Sequence, residues 1–390
     1  FAELSKVMLL RYTDVVQQGE QMKHLGDEYE RTEKGWIQRP DKDYVRNTLK
    51  IVGMENCNPS NVIGGTEKLT KQELAEEEED LDPENASKFR QVVGKGTFYC
   101  RKRVDMQYAL KKLQCDMAKP TKGSFRRMKK FLRYMQATKN FENKIEVSRG
   151  EFQKGILRGF SDTDWAKDTA TRKSVSCGIL MIGGAVINAY SRSQTVVATS
   201  SGEAEFYGLA ALSSECMFVV NMLGELGFKF KGHLYADSSS AKSMASRTGV
   251  GKVKHLEIRS LHVQDLIKRK YFILHKIDGE DNPADLGTKY LSWSRIQHLA
   301  EKINLSIHFT NRSDVREQKD ESEEFEINAI EVDPTQSAQQ QQTESLQMGY
   351  SPKLLASVFL TVVGAVFSAY QYVQYLRRTR SFWSSTRRTS

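Results

Sequence analysis

The stretch that most constrains the fold is VSCGILMIGGAVINAYS, residues 175–191. Two apolar runs flank Gly183 and Gly184, and a glycine pair between such runs is a strong signal for a two-residue hairpin turn. Similar patterning continues on either side. It predicts strands at about 156–164, 175–182, 185–191, 232–237 and 271–278, and helices at about 202–226, 239–247, 255–268 and 290–303. Hairpin-linked strands followed by strand–helix alternation predict a mixed α/β sheet with helices on its faces.

The first of these strands, ILRGFSDTDW, ends in Asp162 and Asp164. Carboxylates at the edge of a sheet are costly to bury without a cation or donor. Taken alone, the pair is either a solvated surface turn or a metal-binding corner. Three downstream acids bear on the choice. Glu205 lies early in the helix of SSGEAEFYGLAAL, Asp237 ends the strand HLYAD, and Asp285 opens the helix after DGEDNPAD. Ligands of open α/β sheets gather at the carboxyl ends of strands. One carboxylate from each of several elements suits a hard cation such as Mg²⁺. Two ions about 3.5–4 Å apart can activate a water and stabilise the leaving oxygen at phosphorus. Glu203 competes with Glu205 for the second position, with an alternative role in the first helical turn.

Other chemistries fit poorly. The five cysteines are scattered and none forms a CxxC pair, which excludes a disulfide framework and a thiolate zinc site. Ser200, Ser201 and His255 lack a GxSxG elbow, and serines before a helix are caps. A net charge of +9 is compatible with nucleic acid or an anionic surface. The scattered cysteines read as reduced thiols, so an intracellular protein of cytoplasm or nucleus is expected.

The flanks have their own character. In the first 60 residues, Gly35 turns a hairpin and Asp41 caps a helix bearing Tyr44, Val45, Leu49 and Val52. Residues 64–88 are acidic and read as a solvated break. KPTKGSFRRMKKFLRYMQATKN is an amphipathic helix whose Arg126, Arg127, Lys129, Lys130 and Arg133 are either a solvated face or a face for nucleic-acid phosphates. Residues 311–350 are polar and Gln-rich, a disordered linker. Residues 354–376 contain no charge and are long enough to span a bilayer, or to pack as an apolar helix on protein.

Residues 157–295 resemble the ribonuclease H domain of Ty1/copia-type retrotransposon Pol polyproteins. The resemblance is carried by GFSDTDWAKDTATRKSVSCGILMIGGAVINAYSRSQTVVATSSGEAEFYGLA, YADSSSAKSMA, KHLEIRSLHVQD and NPADLGTKYL. Upstream, HLGDEYERTEKGWIQRPDKDYVRNTLKIVGMENCNP resembles the segment after the polymerase active site, and FRQVVGKGTFYCRKRVDMQYALKKLQCDMAKPTKGSFRRMKKFLRYMQATKNF the thumb and connection. The implied organisation is a mostly helical reverse-transcriptase C-terminal remnant (1–145) and a ribonuclease H-like domain (155–310) with a five-stranded mixed sheet. A linker (311–350), a candidate transmembrane helix (351–376) and a basic tail (377–390) follow.

The resemblance implies cleavage of the RNA strand of an RNA–DNA hybrid. Asp162, Glu205, Asp237 and Asp285 would hold two Mg²⁺ or Mn²⁺ ions, and Asp164 would support them. Arg126, Arg127, Lys130, Arg133, Arg172 and Lys173 would contact the hybrid backbone. An upstream polymerase half and a membrane at 354–376 are further expected partners. No YVDD-like motif occurs, so polymerase activity is not expected of this chain. GKGTFYCRKRVD replaces a more apolar family stretch, and the loop IDGEDNPAD lacks the histidine many ribonucleases H carry there. A non-catalytic, membrane-tethered nucleic-acid binder and a membrane-anchored adaptor are the rival readings.

Overall fold

A computed structural model describes residues 16–24, 26–65, 69–167, 171–249 and 261–310. The linker, the apolar segment 354–376, the basic tail and His255 lie outside the described residues. In chain order the elements begin with strands β1 (Gln21–His24), β2 (Asp27–Arg31) and β3 (Gly35–Arg39). Helices α1 (Lys42–Lys50), α2 (Lys71–Glu76), α3 (Pro83–Tyr99), α4 (Val104–Cys115) and α5 (Lys122–Ala137) follow, then β4 (Asn140–Glu146) and α6 (Arg149–Gln153). Next come β5 (Ile156–Asp164), β6 (Val175–Ile182), β7 (Ala185–Ser193), α7 (Ser201–Glu225), β8 (Lys231–Ala236) and α8 (Ser239–Ser246). The chain continues through α9 (His262–Lys268), β9 (Phe272–Lys276), two 3₁₀ turns (Gly279–Asp281 and Pro283–Gly287), α10 (Trp293–Lys302) and β10 (Leu305–His308).

Five strands form a mixed sheet in the order β7-β6-β5-β8-β9. The first three are antiparallel, and β8 and β9 join parallel to β5. This is the ribonuclease H-like sheet that the resemblance implies. Gly183 turns the β6–β7 hairpin at φ 55°, a left-handed conformation that glycine adopts without steric cost. The 25-residue α7 is long and apolar enough to cross a membrane by composition, yet it packs along β5, β6 and β8 as the core helix of this sheet.

The N-terminal part is less purely helical than expected. Beside α3, α4 and α5 it holds an antiparallel sheet in the order β1-β2-β3-β4-β10. The fifth strand arrives from the far end of the described chain: Leu305 pairs with Asn143 and Ile307 with Phe141. Leu305 and Ile307 are buried and alternate with less buried Ser306 and exposed His308, as one buried sheet face requires. The two sheets share one hydrophobic core, in which Phe131, Met135 and Phe141 belong to the same cluster as Phe160, Ile179 and Leu286.

The acidic break is a structured element. Thr70 and Glu73 form a capping box that starts α2. Glu77, just past its end, accepts from both Arg126 and Arg127, and Arg127 also meets Asp116 at 3.1 Å. The acids are therefore held by the basic face of α5, which composition alone could not show.

The polar run at 101–105 is equally integrated. Arg103 is fully buried, and its guanidinium donates to Asp105 at 2.9 and 2.7 Å, to Thr138 O at 2.7 Å and to Thr138 Oγ1 at 2.9 Å. Tyr134 donates its hydroxyl to Asp105 Oδ2 at 2.7 Å. Removing one partner of a buried, hydrogen-bonded ion pair strands the other charge, at a cost of about 3–5 kcal/mol. Urea unfolding of Asp105→Ala should show a loss of about that size. A loss near that of an exposed pair would refute the fully buried placement.

Candidate metal centre

The register of two parallel strands places the first two acids together. Ser161 on β5 pairs with Ala236 on β8, so Asp162 and Asp237 are the next residues on neighbouring strands, which lie about 4.8 Å apart. Both stand at the carboxyl end of the parallel pair.

Asp285 comes from the Pro283–Gly287 turn and not, as expected, from the opening of a helix. Asn282 caps that turn by accepting from Ala284 N–H at 3.2 Å. Its amide also donates to Ser161 O at 2.9 Å, which ties the turn to β5 one residue before Asp162. Asn282 is fully buried, so the clamp is shielded from water. One carboxylate oxygen from each of Asp162, Asp237 and Asp285 lies within 4.8 Å of the others.

Glu205 reaches the same corner from α7. Gly208, one turn further along the helix, lies so close to β5 that an added Cβ would fall 2.3 Å from Thr163 Oγ1. Glycine at this point lets the helix approach the strand. Glu205 Oε1 accepts from Thr163 N–H at 3.3 Å, while its buried Oε2 has no hydrogen-bond partner. Glu203 is engaged elsewhere, accepting from Thr199 N–H at 2.8 Å and Thr199 Oγ1 at 2.7 Å at the helix start. That leaves Glu205, and not Glu203, beside the trio. Asp164 is half-buried and pairs with Lys167 at 3.3 Å.

Like charges at this distance act on one another. Burial, then the charge of Asp285, pushes Asp162 up to about 7. Burial, then Asp162 and Asp237, pushes Glu205 up to about 9. Asp237 is also raised, by burial and then by Asp285. The protein supplies partial compensation. Thr288 donates its hydroxyl to Asp162 Oδ2. Lys289 pairs with Asp285 at 2.9 Å, and Arg295 reaches Asp285 at 3.4 Å. Burial alone would lower the Lys289 amine, but Asp162 and Asp285 outweigh it and raise it. These positioning residues escaped the reading of the sequence. They all lie within Asn282–Arg295, in or just past the NPADLGTK segment that supplied Asp285.

A divalent cation fits this donor set. It is all-oxygen, clustered and largely buried, with an unpartnered carboxylate oxygen on Glu205. The basic residues expected to meet nucleic acid fall on two separate parts of the chain. Arg126 and Arg127 are bound to Glu77, whereas Arg133 is exposed on α5. Arg172 is exposed and Lys173 half-buried on the β5–β6 loop.

No protein-family model matches the chain. It is similar to the Retrovirus-related Pol polyprotein from transposon RE1 of Arabidopsis thaliana, at 29% identity over 223 residues, covering 56% of this chain and 15% of the relative. The corresponding polyprotein from transposon TNT 1-94 of Nicotiana tabacum is 25% identical over 277 residues, covering 70% of this chain and 20% of the relative. Its homologues are thus Retrovirus-related Pol polyproteins of copia-type transposons. It spans a fifth or less of the length of these relatives. Among solved structures, the N-terminal RNase H domain of rv2228c from Mycobacterium tuberculosis aligns at 14% identity. That alignment covers 37% of this chain and 96% of the other, with a TM-score of 0.26.

The acid corner of this chain has a measurable signature. Without metal, the folded state keeps protons on Asp162 and Glu205 that the unfolded chain releases near pH 4. The native state then binds more protons than the unfolded one, so stability falls as pH rises from about 4 toward 9. Thermal melts in EDTA should show a midpoint that drops over this range, and millimolar Mg²⁺ or Mn²⁺ at about pH 8 should restore it. A midpoint independent of both pH and metal would contradict a coupled, cation-binding corner.

Proposed function

We propose that the chain hydrolyses the RNA strand of an RNA–DNA hybrid with divalent metal ions held by Asp162, Glu205, Asp237 and Asp285. The carboxylate trio within 4.8 Å at the carboxyl ends of β5 and β8 is the observation that carries this reading. Homology to Pol polyproteins supports it by supplying the nucleic-acid context. Mg²⁺ or Mn²⁺ suits the all-oxygen donors, and two ions are the number that in-line displacement at phosphorus uses. When bound, the ions supply Lewis acidity and lower the pKa of a coordinated water.

The chain's own residues do the rest. Asn282 holds the Asp285 turn against β5, so the ligands are set before substrate arrives. Thr288 orients Asp162 through its hydroxyl. Lys289 and Arg295 place positive charge on Asp285, and Lys289 stands ready for a phosphate oxygen. Arg172 and Lys173 lie on the loop that follows β5 and offer cations to the hybrid backbone. Selection of RNA over DNA would come from 2′-hydroxyls and groove shape and not from base sequence. No polymerase activity is assigned to this chain.

The test is a cleavage assay on a labelled hybrid and on duplex DNA of the same sequence. The hybrid should be cut in Mg²⁺ and not in EDTA, and the DNA duplex should stay intact. Asp237→Asn should lower the rate by roughly a thousandfold or more, because loss of a ligand forfeits several kcal/mol of transition-state stabilisation. Equal activity in that variant would sink the assignment. Hybrid binding in EDTA with no cleavage in Mg²⁺ would mark a non-catalytic binder.

A further inference from the structure

One aromatic side chain beside the acid corner has no role in the metal site. Trp165 stands three residues past Asp162 and is 44% exposed. Three extended residues span at most about 11 Å, so the Trp165 Cα lies within that distance of the Asp162 Cα. The other described tryptophans, Trp36 and Trp293, are half-buried.

Exposure here is not looseness. The Trp165 indole N–H donates to Ala198 O at 2.9 Å, which ties the loop after β5 to the loop before α7. The next residue, Ala166, is buried at φ 50°, a conformation rarely adopted by residues other than glycine. Its N–H donates to Ser174 Oγ at 3.1 Å. Val197, adjacent to Ala198, is 52% exposed. Arg172 and Lys173 lie on the loop that carries Trp165. A fixed, exposed aromatic face on a chain that carries cations a few residues further on, at Arg172 and Lys173, suits a nucleotide, whose base or sugar packs on the ring.

We infer that Trp165 is a substrate-binding residue of the hybrid-cleaving site, a fixed platform for a base or sugar near the cleaved phosphate. The inference rests on the hybrid-cleaving reading above and adds a contact that the carboxylates do not supply. The ring, and not its N–H, makes the contact.

The test compares the full chain with Trp165→Ala and Trp165→Phe, using a fluorescently labelled RNA–DNA hybrid. Anisotropy in EDTA reads binding, and steady-state cleavage in Mg²⁺ reads KM and kcat. Trp165→Ala should weaken binding and raise KM by roughly tenfold, in the range of base–aromatic stacking, with kcat within about twofold. Trp165→Phe keeps a ring and loses the N–H, and should stay within about threefold of wild type in KM. Equal melting midpoints with and without metal would show that both variants fold and load as wild type does. Trp165→Phe as weak as Trp165→Ala would assign the effect to loop structure and overturn the inference. Unchanged KM in Trp165→Ala would do the same while leaving the ribonuclease reading intact. A wild-type chain that neither binds nor cuts hybrid would remove both.

Discussion

Mutual repulsion among buried carboxylates governs the architecture around the β5–β8 strand ends. Each charge taken from water raises the free energy of the folded state, and each like neighbour adds to it. The fold holds the acids together nonetheless, because every one of them arrives on an element fixed by other contacts. Adjacent parallel strands fix Asp162 and Asp237. A buried amide clamp fixes Asp285, and the close approach of α7 at Gly208 fixes Glu205. The energy stored in this corner is the differential interaction that a divalent cation can recover, so the repulsion and the affinity have one origin.

The rigidity of that corner depends in turn on the rest of the described chain. α4 packs on the Pro283–Gly287 turn and on β7, and Gln107 on α4 donates to Ala189 O at 3.4 Å. The start of α4 is anchored by Arg103, whose partners include Thr138 at the end of α5. A line of packed and hydrogen-bonded groups therefore runs from the N-terminal helices to the turn that carries Asp285. The N-terminal part is support for the candidate site as well as a neighbour of it.

Much of this was legible before any coordinates. Strand and helix positions in 156–302 followed from apolar patterning, because a sheet covered by helices leaves long unbroken apolar runs. Asp162, Asp237 and Asp285 were legible because acids that punctuate such runs have few structural uses. The partner of β10 was not legible: LSIH is four residues, and nothing in so short a strand names the edge it joins. The pairing of Glu77 with Arg126 and Arg127 was hidden for another reason. Opposite charges about fifty residues apart give no local pattern, and a charge run is read as solvated until its partner is seen. Trp165 needed the coordinates too, since the letter alone does not separate a core ring from a pinned surface ring.

The return of β10 to the edge of the first sheet bears on where the chain can be divided. A fragment of this chain keeps both sheets only if its boundaries enclose every strand those sheets require. A cut between β4 and β5 looks natural along the sequence, yet it would leave β4 with a bare edge and give Leu305 and Ile307 no sheet to join. The span from β1 to β10 is thus the smallest unit that closes both sheets, and a fragment that stops before β10 would carry an open seam.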